Sequence, residues 1–117
     1  MSQKHSSRAI VIALIGELGA GKTTFVQKFA RAYGILENIT SPTFVIFKKY
    51  DTFVHIDAYR LKNSKELMDL GFQKFLDDPN NVICIEWADR VLDILPEDRI
   101  TIHFDHVDKT TRKIRID

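Results

Sequence analysis

The sequence contains little that would place the chain in a membrane or in an oxidising compartment. Its longest apolar run, Ala9–Ile15, is far shorter than the roughly 20 residues that a membrane-spanning helix needs. The preceding residues, Met1–Arg8, are polar and lack the apolar segment and cleavage site of a secretory signal. Cys84 is the only cysteine, so no internal disulfide can form, and its apolar surroundings predict a buried, inert thiol. We therefore expect a cytoplasmic protein that does not associate with a membrane.

An excess of charge of one sign is also missing. Lysine and arginine number 17 and aspartate and glutamate 16, which leaves a formal net charge of +1. No bulk field then draws the chain onto nucleic acid, so any role in RNA chemistry is expected to run through partner proteins. The 117 residues contain no repeat or linker, which predicts a single domain, residues 1–117, with residues 1–8 flexible.

The hydrophobic pattern of the first third predicts a strand followed by a helix. Ala9–Ile15 is continuously apolar and rich in β-branched residues, as expected of a strand in the middle of a parallel sheet. From Thr24 the period becomes helical, and Gly34 is a suitable stop. The apolar stripe of this helix consists of Phe25, Val26, Phe29, Ala30 and Tyr33.

The rest of the chain adds hairpins and further helices. Phe44–Tyr50 and Thr52–Ile56 are predicted to form a hairpin around Asp51. Asn63 is expected to cap a helix, with Glu66 at the capping-box position. That helix would be interrupted at Gly71 and would direct inward Leu67, Met68, Phe72, Phe75 and Leu76. Later elements are a buried strand at Val82–Ile85, a short helix at Asp89–Leu95 before Pro96, and strands at Arg99–Phe104 and Arg112–Ile116. The predicted class is α/β: a three-layer, phosphate-loop NTPase-like sheet flanked by helices, with added antiparallel hairpin strands.

One segment carries a specific chemical signal. Gly16–Thr23 reads Gly-Glu-Leu-Gly-Ala-Gly-Lys-Thr and fits the phosphate-loop pattern G-x-x-x-x-G-K-[ST] at every fixed position. Chance would produce such a match in about 0.4% of chains of this length, given average residue usage, and the strand before and the helix after make chance rarer still. We therefore predict a nucleoside triphosphate site, with Mg-ATP as its cofactor.

The residue types in this loop follow from what a phosphate requires. Glycines let consecutive backbone N–H groups turn toward anionic oxygens, and the start of the next helix adds its dipole. Lys22 supplies a mobile positive charge, and the Thr23 hydroxyl is a hard oxygen ligand suited to Mg²⁺. The residues predicted to contact the nucleotide are Glu17, Leu18, Gly19, Ala20, Gly21, Lys22, Thr23 and Thr24.

Two acids stand at the carboxyl ends of predicted strands. Asp57 follows Phe53–Ile56 and Glu86 follows Val82–Ile85. Ligands of open α/β sheets collect at this edge, so both acids are placed to face the phosphates. One would hold Mg²⁺, directly or through water, and the other would orient or activate the attacking water. Position alone does not decide between these roles, and an isolated strand-end acid is more often structural.

Thr43 is a further candidate. It lies in the loop after the first helix, where phosphate-loop proteins can order around the metal and the γ-phosphate. Its spacing alone equally fits a turn threonine that follows Pro42.

Together these segments resemble the TsaE family, also called YjeE. The elements that carry the resemblance are Gly16–Thr24, Ser41-Pro42-Thr43-Phe44, His55-Ile56-Asp57-Ala58-Tyr59-Arg60-Leu61, Glu86-Trp87 and Leu95-Pro96. They cover nearly the whole chain in the order of the family. The resemblance implies a bacterial ATPase required for making threonylcarbamoyladenosine in tRNA.

The resemblance also implies roles for individual residues. Thr23 and Glu86 match the Mg²⁺-binding positions, Asp57 matches the essential acid and Thr43 a switch-like threonine. Trp87 would shape the nucleotide site, and Thr111 falls near a segment that approaches the nucleotide. The implied partners are the TsaD and TsaB proteins, with tRNA contacted only indirectly. ATP hydrolysis would reset their complex between rounds of threonylcarbamoyl transfer, which this chain would not itself perform.

The sequence departs from the family pattern in two places. Family members usually carry a strand and a helix before the strand of the phosphate loop, whereas only Met1–Arg8 stand there in this sequence. We therefore expect the base side of the site to be more open. The usual Asp after the first loop glycine is Glu17.

Two other functions fit the same opening motif. A small-molecule kinase also begins with a strand, a phosphate loop and a helix, but it needs an acceptor pocket and an arginine-rich lid, and no lid-like insertion is visible. A binding module that responds to nucleotide without hydrolysing it would use a partner surface, for which the predicted exposed aromatics are Phe44, Phe47 and Tyr50.

Overall fold

A mixed sheet of six strands organises the described part of the chain, which in this computed structural model comprises residues 8–16, 22–36, 46–106 and 112–117. The strands are β1 (Ile10–Gly16), β2 (Phe47–Tyr50), β3 (Phe53–Asp57), β4 (Val82–Glu86), β5 (Ile100–His106) and β6 (Arg112–Ile116). The helices are α1 (Lys22–Tyr33), α2 (Ser64–Asp69) and α3 (Phe72–Asp77), with two 3-10 turns at Ala88–Arg90 and Leu92–Ile94.

The strand order is β2-β3-β4-β1-β5-β6. β3, β4, β1 and β5 run parallel, while β2 pairs antiparallel with β3 and β6 pairs antiparallel with β5. The sequence places Ile10–Ile15 and Val82–Ile85 at the centre because both are apolar on both faces, which only a covered parallel sheet accommodates. The predicted α/β sheet with antiparallel additions is confirmed.

The sheet separates two hydrophobic clusters. Along β1, Val11 and Ala13 face a cluster that includes α2 and α3, whereas Ile12 and Leu14 face a cluster that includes α1. Alternate residues of a strand point to opposite faces, so one apolar run serves both clusters. Helices thus cover both faces, which confirms the predicted three-layer arrangement.

Helix α1 begins two residues earlier than its apolar stripe predicts. Val26 and Ala30 are fully buried, and Phe25 and Phe29 pack at the edge of the same cluster. Tyr33, expected in the stripe, is 43% exposed at the end of the helix, although its ring lies near Phe53. The early start at Lys22 matters most, because it places the motif lysine in the first turn.

The second helical region confirms its predicted cap and its interruption. The Asn63 side chain accepts the backbone N–H of Glu66 at 3.2 Å, and Gly71, at φ 96°, separates α2 from α3. Gly71 adopts a left-handed conformation that favours glycine. The Glu66 carboxylate accepts from Lys62 N–H at 2.5 Å, one residue before the donor that a capping box would use.

Two predictions about the helices are wrong. Met68 is 36% exposed instead of facing inward, because α2 ends at Asp69 and buries only Ser64 and Leu67. The helix predicted at Asp89–Leu95 is instead two 3-10 turns, Ala88–Arg90 and Leu92–Ile94. The backbone at Val91 leaves the helical region at φ −134° while its side chain is completely buried, so core packing overrides the local helical pattern.

The hairpin forms around Asp51, with the first strand ending at Tyr50 as predicted and the second lying one residue further along the chain than predicted. β2 begins at Phe47 and β3 extends to Asp57. Tyr50 is buried and Phe47 packs against Phe75, so these two do not form an exposed aromatic surface, while Phe44 lies outside the described residues. Within the ranges that the structure describes, no helix is long and apolar enough to cross a membrane.

Candidate functional site

The predicted site lies where β1 and β4 end and α1 begins. β1 and β4 are adjacent and parallel, with Leu14 opposite Glu86 in register. α1 packs across both strands on one face of the sheet. The strand order therefore brings the start of α1 to the carboxyl edge of the sheet, beside the acid that ends β4.

Lys22 is held at this edge by the backbone and by an aromatic ring. It is only 4% exposed, and its ammonium donates to the Gly16 carbonyl. The same nitrogen lies 3.6 Å from the centroid of the Trp87 ring, a cation–π contact. Burial lowers the pKa of Lys22, and the negative charges of Glu86 and Asp57 oppose that change. The ammonium is therefore largely shielded from water and lies near two carboxylates.

Thr23 and Glu86 meet directly. The Thr23 hydroxyl donates to Glu86 Oε1 at 3.3 Å, although the two residues are 63 positions apart in sequence. A hydroxyl oxygen and a carboxylate oxygen side by side are the hard ligands that Mg²⁺ prefers. The pairing that the resemblance implied for the metal is thus present in the geometry.

Glu86 is a buried carboxylate whose two oxygens have different neighbours. It is 4% exposed, and its Oε2 lies 2.6 Å from Nε2 of His55, which is completely buried. A buried charge without such partners would be very unfavourable. The position of the Glu86 carboxylate is consequently determined from both sides, by Thr23 and by His55.

Asp57 ends β3 directly beside Glu86. The two are register partners, so their side chains project from the same face of the sheet. Asp57 Oδ1 accepts the backbone N–H of Tyr59 at 3.0 Å. Burial raises the pKa of Asp57, with a further contribution from the Glu86 charge, while the Tyr59 hydrogen bond opposes the shift. Asp57 is thus the more exposed of the two acids, and its pKa in the folded protein is raised.

Trp87 covers the lysine from the side of β4. Its backbone is left-handed, at φ 58°, which is uncommon for a bulky residue and turns the chain sharply after Glu86. The Trp87 ring contacts the ring of Tyr59 at 5.0 Å between centroids, and Arg90 lies 5.4 Å from the Tyr59 ring. The site-shaping position predicted for Trp87 is consistent with its contact to Lys22.

The residues present fit a magnesium ion that is held by few protein ligands. Mg²⁺ usually keeps several waters and is bound by one or two protein oxygens together with substrate phosphates. Thr23 and Glu86 supply such oxygens, and Asp57 stands next to them. In the described ranges no three His, Cys, Asp or Glu side chains gather into a cage that would hold a metal alone.

Several predicted site residues lie outside the described residues. They are Glu17, Leu18, Gly19, Ala20 and Gly21 of the phosphate loop, Thr43, and Thr111. Thr24 is described and is exposed in the first turn of α1. Lys22, Thr23, Asp57, Glu86 and Trp87 are described and lie around one edge of the sheet.

His55 was assigned no role from the sequence, although it forms part of the quoted H-x-D element. A signal was available: it is a polar residue within the otherwise apolar strand Phe53–Ile56. A polar group on a covered strand needs a partner, so such a residue points to another polar group across the sheet. That partner is Glu86, two positions along from Cys84, the register partner of His55.

The fold and this edge define the class: an α/β protein with a mixed six-stranded sheet, carrying the phosphate-loop sequence pattern between its first strand and helix. The chain belongs to the TsaE family, since the family described as threonylcarbamoyl adenosine biosynthesis protein TsaE matches residues 1–114.

Individual relatives agree with this assignment. The chain is 41% identical over 96 residues to the tRNA threonylcarbamoyladenosine biosynthesis protein TsaE of Bacillus subtilis, an alignment that covers 79% of this chain and 59% of the relative. It is 43% identical over 95 residues to the protein of that name from Treponema pallidum. That alignment covers 79% of this chain and 70% of the relative. The crystal structure of Bacillus subtilis YdiB superposes with a TM-score of 0.70 at 32% identity, covering 94% of this chain and 68% of that one.

Proposed function

We propose that this chain is a phosphate-loop ATPase that binds and hydrolyses Mg-ATP in support of tRNA threonylcarbamoyladenosine modification. The observation that carries the proposal is the convergence of Lys22, Thr23 and Glu86 at the carboxyl edge of the sheet. The relatives are named for the biosynthesis of this modified nucleoside, which supports the pathway. Because the chain spans about six tenths of the Bacillus relative, its activity, substrates and partners belong to this proposal.

Lys22 supports the phosphate-binding part of the proposal. Its ammonium is preplaced at the start of α1, next to the end of β1, where it can approach an anion bound at the helix terminus. A buried ammonium gains from an added anionic phosphate, because its own solvation is already reduced. The Trp87 ring attracts the ammonium through a cation–π contact, and the ammonium keeps its positive charge.

Thr23 and Glu86 support the metal part of the proposal. Their oxygens would hold Mg²⁺ directly or through water, and the ion when bound would offset the charge of the phosphates. Glu86, already engaged by Thr23 and His55, is the better placed of the two acids to keep a fixed position.

Asp57 supports the hydrolytic part of the proposal. A carboxylate with a raised pKa is a better proton acceptor, and among the described residues Asp57 has one oxygen engaged, by the Tyr59 amide. We therefore assign the orientation or activation of water to Asp57. Thr43 is proposed to take part in catalysis separately, as a sensor of the γ-phosphate. Such catalysis works by positioning and electrostatics more than by covalent chemistry.

The partners in the proposal are the TsaD and TsaB proteins, with tRNA contacted only indirectly. We expect slow hydrolysis by the isolated protein and faster hydrolysis in the complex. The two arginines that follow the acids are not directed at the Thr23–Glu86 pair, because Arg90 lies on the Tyr59 ring and Arg60 is exposed. Partners commonly supply such a charge in this class of reaction.

The test measures phosphate release from ATP by the purified protein, with and without TsaD and TsaB from the same source. We expect release to depend on Mg²⁺ and to rise on adding both partners. Lys22→Ala should abolish nucleotide binding, and Lys28→Ala, a change to an exposed lysine of the same helix, is its matched control.

Two results would contradict the proposal. Nucleotide binding with no phosphate released even in the complex would indicate a non-hydrolysing binding module. Transfer of the terminal phosphate to an added nucleoside, seen by chromatography of labelled ATP, would indicate a kinase.

A further inference from the structure

His55 is a buried polar group whose surroundings point toward the proposed metal site. It lies on the α1 side of β3 and is completely buried, and its Nε2 approaches Glu86 Oε2 at 2.6 Å. The pair spans two adjacent strands, because His55 is opposite Cys84 and Glu86 follows two residues later. This diagonal contact is fixed by the register of the sheet and not by a flexible loop.

The direction of the hydrogen bond follows from the carboxylate. An ionised carboxylate has no proton to give, so the ring donates from Nε2. His55 Nδ1 has no hydrogen-bond partner among the described residues. Nε2 is therefore the His55 nitrogen that links the ring to Glu86.

The two oxygens of Glu86 are thereby given different tasks. Oε2 is occupied by His55, and Oε1 faces the Thr23 hydroxyl at 3.3 Å. If His55 released Oε2, the carboxylate could rotate about its terminal bond, a broad and soft torsion, and either oxygen could turn toward Thr23.

We propose that His55 is a positioning residue that holds Glu86 so that only Oε1 is presented to the metal ion. This inference rests on the proposed Mg-ATP function and extends it to a residue with no assigned role. A group that orients a metal-binding carboxylate typically changes metal affinity by about 10- to 100-fold when it is lost.

The test compares two amide substitutions that differ in reach. In His55→Gln the amide nitrogen reaches about as far as Nε2, so it can still donate to Glu86. In His55→Asn the amide is one methylene shorter and takes the place of Nδ1, so that hydrogen bond is lost while polarity is kept. Binding of a non-hydrolysable ATP analogue is measured by calorimetry across a Mg²⁺ series and in EDTA.

We expect His55→Asn to raise the half-saturating Mg²⁺ concentration by about tenfold or more, with His55→Gln closer to the original protein. Binding in EDTA should be the same for all three, because His55 acts through the metal-binding carboxylate and not on the phosphates. A loss of binding in EDTA equal to the loss in Mg²⁺ would indicate a structural role and overturn the proposal.

The Glu86→Gln background gives a second comparison. In that background His55→Asn should cause no further change in Mg²⁺ dependence; equal effects in both backgrounds would overturn the proposal. His103→Gln is the matched control, since His103 also contacts a carboxylate, that of Asp117, at the β5–β6 edge. It should leave the Mg²⁺ dependence unchanged.

A measurement on the unsubstituted protein covers the case in which His55→Asn does not fold. Nitrogen NMR of labelled histidine should find a proton on Nε2 of His55; a ring without a proton on Nε2 overturns the proposal. The underlying function is tested separately: an unsubstituted protein that binds the analogue equally well in EDTA and in Mg²⁺ contradicts the metal site itself. A Mg²⁺-dependent protein unaffected by His55→Asn contradicts only the role of His55.

Discussion

Asp57 and Glu86 are register partners at the ends of β3 and β4, yet their environments differ sharply. Glu86 is 4% exposed and engaged on both oxygens, by Thr23 and by His55. Asp57 is half-buried and accepts a backbone N–H from Tyr59. Neighbouring acids placed in unlike surroundings can take unlike tasks, which is a recurring arrangement in active sites.

The first prediction separates those tasks. Glu86→Gln should raise the half-saturating Mg²⁺ concentration for nucleotide binding by at least about tenfold, because it removes a charged ligand. Asp57→Asn should change that concentration much less while lowering partner-stimulated hydrolysis by about 100-fold or more. Calorimetry and phosphate release measure the two effects, with the exposed Glu97→Gln as a control. If both substitutions raise the half-saturating Mg²⁺ concentration equally, the division of roles is wrong.

The second prediction concerns stability and pH in the absence of Mg²⁺ and nucleotide. Burial raises the pKa of Asp57 in the folded protein above its ordinary value of 3.8. The folded state therefore holds this proton more tightly, and its stability falls as pH rises from the unfolded pKa through the folded one. Asp57→Asn removes that penalty, so urea unfolding should show the variant to be the more stable protein at pH 7. The advantage should disappear below about pH 3.8, where the acid is protonated in both states; a variant that is less stable at pH 7 would refute the argument.

The third prediction concerns the close approach of β1 and β5. A Cβ added at Gly16 would lie 2.6 Å from the Phe104 carbonyl oxygen and 3.0 Å from the Phe104 Cβ. The contacted oxygen belongs to the backbone of β5, which cannot move without disturbing the sheet. Gly16→Ala should therefore lower the free energy of unfolding by about 1–3 kcal/mol. Leu36→Ala, at a side chain that is 80% exposed, should change it by less than about 0.5 kcal/mol. Equal stability of the two variants by urea unfolding would show that the strands separate readily.

The fourth prediction concerns the single thiol. Cys84 is completely buried in β4, and burial raises its pKa well above the usual range, with a smaller contribution from the Glu86 charge. Only the thiolate is an effective nucleophile, so an aromatic disulfide reagent should not label the native protein at pH 8. Full labelling should appear in denaturant, and its rate at lower denaturant should follow unfolding. Rapid stoichiometric labelling of the native protein would contradict the buried position of Cys84.

The sequence predicted much of the architecture because its strongest signals are local. Continuous apolar runs identify strands that are covered on both faces, and Asn63 and Gly71 mark a helix start and a break through their own backbone chemistry. Local signals failed where a side chain served a distant contact. Val91 is drawn into the core at the expense of a helix, and Met68 lies beyond the part of α2 that packs inward.

The sequence by itself determined the central strands, the phosphate-loop pattern and the presence of acids at two strand ends, since each depends on neighbours along the chain. Only the tertiary structure decided that Glu86 lies between Thr23 and His55, and that Asp57 stands beside it. Periodicity tells which side chains share a face of their own strand, but strand order and register select the partners across the sheet. Those are properties of the whole packed domain, because the central strands must bury both of their faces at once.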